Sequence, residues 1–277
     1  MKILSLFDGM SCGRIAFDRL NIPVEKYYSS EIDKYSQIVS QANYPDIIPL
    51  GDITKWREWD IEQPDIIIGG SPCQGFSFAG KRLNLEDERS KLFFEFRDIV
   101  RHYKPKYFLL ENVRMDEESE NVISREMGIQ PVLINSALVS AQNRQRLYWT
   151  NINAGSDLFG FLKPEISQPI DKEVYLENII ECGYVDRKKS YCIDANYGKG
   201  GNLKRYFKRS SRQLVFDNSD CKKYRMLKPG ECEILQNVPK NYTNHVSNSQ
   251  RYKMLGNGWT VDVICHILKH MDNSNEI

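Results

Sequence analysis

Cys73 stands in Gly70-Ser71-Pro72-Cys73-Gln74-Gly75-Phe76-Ser77, directly behind the apolar run at 66–70. A thiol at the end of a buried strand meets the crevice where open sheets bind ligands, and as a thiolate it is a nucleophile. The bland alternative is a small buried hydrophobe. Glu111, beside Asn112 after the run YFLL, is an acid at the matching place on a neighbouring strand; a helix cap or a surface carboxylate is its plainer fate. Arg144 and Arg146 lie two apart in SAQNRQRLYW (140–149), so near a strand they point the same way. They can hold an anion or a carbonyl, or make structural ion pairs.

A second set has the types that hold a nucleoside. FDGMSCG (7–13) leaves a strand and enters a helix, with Gly9 and Gly13 allowing a ligand close to free backbone N–H groups. It is not the G-x-G-x-x-G of dinucleotide enzymes, and a simple tight turn explains it as well. Glu31 lies 22 residues beyond Gly9, where an acid accepts from ribose hydroxyls. Asp52, in Gly51-Asp52-Ile53, can face an adenine amino group or merely cap a helix.

These residues need a sheet to bring them together. Apolar runs at 2–7, 27–31, 46–51, 66–70 and 107–110 read as strands. Segments 11–20, 33–42 and 91–103 read as helices, and 132–135 and 146–150 can complete the sheet. Buried strands separated by helices predict an α/β, Rossmann-like, mostly parallel sheet with helices on both faces. After about residue 153, Gly155, Gly160, Pro164 and Pro169 punctuate a linker-like stretch. A smaller lobe of strands and loops over 154–238 follows, and a helix at 261–269 returns to the core. The expected division is a catalytic domain of 1–153 completed by 239–277, with the small lobe between.

The chain has 277 residues and a formal net charge of +1, an ordinary globular composition. Residues 186–228 carry thirteen Lys and Arg against four acids, a net +9 that leaves −8 elsewhere. Tyr and Phe residues are interleaved with it, which suits a polyanion such as nucleic acid; a solvated face is the alternative. No run reaches the ~18 apolar residues of a membrane span, and the apolar start ends at Asp8, too short for a signal peptide. Seven Cys with no C-x-x-C, and no His pair that supports a zinc site, point to no metal site and no disulfide framework. A reducing, cytoplasmic setting is expected.

Taken in order, FDGMSCG, Ser30-Glu31, Gly51-Asp52-Ile53, GSPCQGFS, LLENV, AQNRQR, MLKPGECEILQNVP (226–239) and LGNGWTV (255–261) resemble the C5-cytosine DNA methyltransferases. The likeness covers about residues 1–152 and 224–270. It is similar to compact bacterial and phage members, and in its WTV wording to the animal de novo DNA methyltransferases. The resemblance implies transfer of a methyl group from S-adenosyl-L-methionine to C5 of a cytosine flipped out of duplex DNA. It implies Cys73 as the nucleophile at C6, Glu111 at N3 and the exocyclic amine, Arg146 at O2, and Arg144 in support. It sets the cofactor against Phe7, Asp8, Gly9, Met10, Ser11, Cys12, Glu31, Ile32, Asp52, Ile53 and Pro72, with Asn257, Trp259 and Val261 closing the site. Residues 74–90 would form a lid, and 154–223 the target-recognition region. A cognate restriction endonuclease and a place at the nucleoid of a prokaryotic or phage-infected cell belong to the same implication. Ser11-Cys12 depart from a Gly-Gly common in bacterial members, and the acidic segment 115–120 has no assigned role. An RNA methyltransferase is the alternative within the chemistry, disfavoured by Gln74 after Cys73. A non-catalytic nucleic-acid-binding regulator is the alternative outside it. A nicotinamide oxidoreductase lacks its fingerprint.

Overall fold

A computed structural model of the chain describes residues 1–72, 88–156, 160–217 and 223–271, with the side chains of 88–90 left out. Cys73 and most of the expected lid, 74–87, therefore lie outside the described residues.

The first half alternates strand and helix as the sequence predicts: β1 (Lys2–Leu6), α1 (Cys12–Arg19), β2 (Lys26–Ser30), α2 (Lys34–Asn43), β3 (Ile48–Pro49), β4 (Ile66–Gly70), α3 (Glu88–Tyr103) and β5 (Tyr107–Val113). Next come α4 (Glu117–Met127), β6 (Val132–Asn135) and β7 (Gln145–Thr150). These strands form one seven-stranded sheet in the order β3-β2-β1-β4-β5-β7-β6. β1 to β5 pair in parallel, whereas β7 runs antiparallel to both β5 and β6. The chain winds outward from β1 in one direction and from β4 in the other. A crevice is thus left at the carboxyl ends of these strands.

Alternating side chains split the core into two layers. Ile3, Ile66 and Ile68 pack with Ile15, Ala16 and Phe17 of α1. Leu4, Leu6 and Ile67 pack on the other face with Phe93, Phe96 and Ile99 of α3. Burial on both faces is why these strands read as near-continuous apolar runs.

Two predicted strands change. The expected strand at 46–51 shrinks to Ile48–Pro49, because a proline removes a ladder donor at the sheet edge. The strand expected at 107–110 continues to Val113, since β7 offers hydrogen-bond partners past the end of β4. Glu111 therefore sits within β5, paired in register with Gly70 on one side and Tyr148 on the other.

The remainder holds two small hairpins, β8 (Ala154–Ser156) with β9 (Leu162–Pro164) and β10 (Leu214–Phe216) with β11 (Tyr224–Met226). Helices α5 (Leu203–Arg209), α6 (Pro229–Leu235), α7 (Asn248–Asn257) and α8 (Val261–Leu268) complete the fold. Tyr206, Leu214 and Phe216 make a small cluster of their own. Leu176, Ile193, Leu227 and Leu235 join the large core. No helix among the described residues is long and apolar enough to cross a membrane.

Candidate active site

A cavity of about 670 Å³ opens at the carboxyl ends of β1, β2, β4 and β5. Its floor begins in the turn after β1, where Phe7, Gly9 and Ser11 all take left-handed backbone angles (φ 56°, 60° and 62°). Such angles strain non-glycine residues and must be held by neighbours. Asp8 does the holding. Its carboxylate accepts from the hydroxyls of Ser5 and Ser11 at 2.5 Å, Tyr27 at 2.7 Å and Ser29 at 2.8 Å. Burial raises its pKa above the usual carboxylate value, against the pull of those four donors. Ser11 turns its hydroxyl to Asp8 and Ser40, so α1 starts without a side-chain cap and its first N–H groups are left for another acceptor.

Glu31, just after β2, reaches back to this turn. Its carboxylate accepts from the backbone N–H of Gly9 at 2.8 Å, Ile32 at 2.8 Å and Asp33 at 2.7 Å. Burial raises its pKa too, opposed by those three bonds. Asp52 caps the 3₁₀ turn Ile53–Glu58 by accepting from Thr54 N–H at 2.9 Å, so the plain reading of this residue holds while it also lines the cavity. A Cβ built on Gly9 or Gly51 meets nothing within 4 Å, which leaves open space beside both acids.

The other end of the cavity carries Glu111, 8% exposed. Arg146 Nε lies 2.8 Å from its Oε1, and the indole N–H of Trp259 donates to its Oε2 at 3.2 Å. Burial works against the charge on Arg146, but the Glu111 carboxylate together with Cys192 and Tyr148 outweighs it, and its pKa is raised. Arg144 behaves differently from its neighbour. It is 3% exposed, and its guanidinium donates to Cys192 Sγ at 3.2 Å and to the carbonyls of Ile193, Gly256 and Gly258 at 3.1, 3.2 and 2.8 Å. Asn112 donates to Ser71 Oγ at 3.2 Å, tying β5 to the segment that leads into Cys73. Pro72, the residue bonded to Cys73, is on the lining.

Of the residues singled out in the sequence, the lining brings together Phe7, Asp8, Gly9, Cys12, Glu31, Ile32, Asp52, Ile53, Pro72, Glu111, Arg144, Arg146, Asn257 and Trp259. Met10, Ser11 and Val261 are instead buried behind it. The Met10 side chain packs towards Gly258, Ser11 is taken up by Asp8, and Val261 begins α8 inside the core. Burial pushes the Cys12 thiol up to about 12, which makes it an unreactive part of the wall. Sequence reasoning missed Gln250, Lys253 and Met254, which reach the lining from α7. That helix is polar and only weakly periodic, so nothing marked it. Lys253 pairs with Asp33 and so links α7 to the loop after β2.

The comparisons with known proteins agree with this arrangement. The family model for C-5 cytosine-specific DNA methylases matches residues 1–199 and 170–273. Type II methyltransferase M1.ScrFI of Lactococcus lactis subsp. cremoris is 32% identical over an alignment covering 98% of this chain and 77% of that protein. Type II methyltransferase M.HhaI of Haemophilus parahaemolyticus is 29% identical, covering 99% and 95%. In fold, the Entamoeba histolytica methyltransferase EhMeth superposes with a TM-score of 0.72 at 16% identity, covering 98% of this chain and 97% of its own. The matched model spans nearly the whole chain, and every strand that the cavity needs lies inside it; the chain belongs to the family of C-5 cytosine-specific DNA methylases.

Proposed function

We propose that the cavity binds S-adenosyl-L-methionine beside a cytosine turned out of duplex DNA, and that Cys73 carries the methylation of its C5 through a covalent bond to C6. The observation that carries this is the sharing of one cavity by two sets of groups. Glu31, Asp52 and the Gly9 turn line one end; Glu111 and Arg146 line the other, with the residue bonded to Cys73 between them.

The residues suit the cofactor. The volume lies within the ~300–1,000 Å³ range of small-molecule sites. Acids stand where ribose hydroxyls and an amino group need acceptors, and the open faces of Gly9 and Gly51 leave a cradle that any side chain would fill. When bound, the cofactor supplies an electrophilic methyl group on a sulfonium. Glu111 and Arg146 orient the pyrimidine, at N3 with the exocyclic amine and at O2 respectively. With Glu111 supporting N3, the Cys73 thiolate adds at C6 and makes C5 an enamine carbon that can take a methyl group. After C5 loses its proton, Cys73 leaves by β-elimination. Both carbons are covered in a stacked duplex, so the base must be flipped, as is general for enzymes that do chemistry on bases.

Residues 154–238 serve in this reading as the target-recognition lobe. Of its cations, Arg187 pairs with Asp186, Arg225 with Glu231, and Lys228 with Glu181. Lys199, Lys204, Arg205, Lys208, Arg209 and Arg212 form no ion pair among the described residues, and the segment 199–216 holds no acid. Phe207 stands 68% exposed in their midst on α5. The names of the relatives as type II methyltransferases support a modification role opposite a cognate restriction endonuclease, in the cytoplasm of a prokaryotic or phage-infected cell.

The test is incubation of the chain with duplex DNA and cofactor labelled in its methyl group, followed by nucleoside analysis. Labelled 5-methylcytosine is expected from the wild type, and a loss of at least three orders of magnitude from a folded Cys73→Ala. Equal methylation by that variant would falsify the covalent route.

A further inference from the structure

Glu111 is held on both carboxylate oxygens, and the two grips come from distant parts of the chain. Arg146, on β7, takes Oε1 at 2.8 Å. Trp259, in the turn between α7 and α8, gives its indole N–H to Oε2 at 3.2 Å. β4 makes room for that contact. Gly70 lies opposite Glu111 in register, and a Cβ there would stand 2.8 Å from Oε2 and 3.0 Å from the indole nitrogen. The backbone under Trp259 is fixed as well. The carbonyl of Gly258, bonded to it, accepts from Arg144 Nη2 at 2.8 Å and from Gln236 Nε2 at 3.2 Å, both buried side chains.

The two arginines of the Q-x-R-x-R segment therefore converge on one carboxylate by two routes. Arg146 reaches it directly, and Arg144 holds the peptide that presents the indole. We infer that Trp259 is a positioning residue for Glu111. Its N–H fixes the plane of the carboxylate, so that the acceptor sites left over face the base; a carboxylate has about four in all. Its ring meanwhile stands in the wall of the same cavity. This inference deepens the proposed function and rests on it.

Trp259→Phe removes the N–H and keeps an aromatic wall. Steady-state methylation of duplex DNA and titration with S-adenosyl-L-methionine are measured together. A hydrogen bond to a charged group is worth enough that kcat should fall roughly tenfold or more. The cofactor dissociation constant should stay within about twofold, because the bond is made to Glu111 and not to the cofactor. An unchanged kcat, or a kcat that falls only in step with cofactor affinity, overturns the inference and leaves Trp259 as a simple wall. If Trp259→Phe does not fold, Gly70→Ala decides. It keeps the indole but sets a methyl group 2.8 Å from Oε2 and 3.0 Å from the indole nitrogen, so the contact must part; kcat should drop with cofactor binding retained, and undiminished kcat again overturns the inference. A wild-type chain that transfers no methyl group sinks the functional reading and this inference together. A wild type that does so, beside an equally fast Trp259→Phe, sinks the inference alone.

Discussion

Arg144 and Arg146 are two residues apart and share a charge, yet their surroundings assign them opposite work. Arg146 pairs with one carboxylate in the cavity wall and gives its Nη1 to the Gln145 carbonyl at 2.8 Å. Arg144, itself buried, commits its guanidinium to four protein acceptors. Arg144→Ala strands the buried carbonyl of Gly256 and takes one donor from those of Ile193 and Gly258, so it should destabilise the fold by about 3 kcal/mol, read as a lowered midpoint in urea at unchanged slope. On the proposed function, Arg146→Ala should leave stability within about 1.5 kcal/mol of wild type and lower kcat by roughly 100-fold or more, because the charge removed would hold the base. Equal stability losses in the two variants would contradict this division. The sequence could place both side chains on one side of a strand. It could not divide them, because the partners of Arg144 lie at 192–193 and 256–258, far along the chain. The same holds for Glu111, whose type and place after an apolar run were legible, and whose second grip by Trp259 was not.

At the scale of elements, what was legible follows burial. β1, β2, β4 and β5 are covered on both faces, so apolar runs bounded by Gly, Asp or Glu marked them well. α4 shows the opposite case. The acidic segment that begins it had no role in the sequence, yet Asp116 caps the helix by accepting from Ser119 N–H at 2.9 Å, and Glu117, Glu118 and Glu120 fill its first turn. Negative charge there opposes the positive end of the helix dipole. That is a local electrostatic reason, invisible to a search for apolar periodicity. α5 carries the complementary lesson. Asn202 caps it by accepting from Arg205 N–H at 2.8 Å; Leu203 and Tyr206 pack it on the small cluster with Leu214 and Phe216, and the rest of it is cation and an exposed Phe207. If it tracks DNA phosphates, Lys204→Ala with Lys208→Ala should weaken binding to duplexes of any sequence alike. The slope of log K against log salt should shrink by about 1 for each phosphate no longer neutralised. Binding isotherms at several salt concentrations measure this directly. An unchanged slope would remove α5 from the interface.

At the scale of the molecule, the cavity exists only because the chain's last third returns to its first turn. Arg19 of α1 pairs with Asp262 of α8, and Asn43 at the end of α2 donates to the carbonyl of Tyr242 at 3.0 Å. A third closure is polar and buried: Tyr242 gives its hydroxyl to the carbonyl of Met10 at 2.7 Å, inside the strained turn that Glu31 and Asp8 hold. Burial drives the phenol well above its usual pKa, so the group remains a donor at any working pH. Tyr242→Phe keeps the ring and leaves the Met10 carbonyl without its partner, a loss of about 1–3 kcal/mol that corresponds to a fall in melting temperature of roughly 3–8 °C. Because that carbonyl belongs to the turn carrying Phe7 and Gly9, the damage should also show in binding. Cofactor affinity should weaken several-fold while kcat at saturating cofactor changes little, the reverse of the pattern expected for Trp259→Phe. Calorimetric titration beside a thermal melt separates the two. A melt that moves with no change in affinity would mean that the C-terminal segment supports the core without shaping the turn.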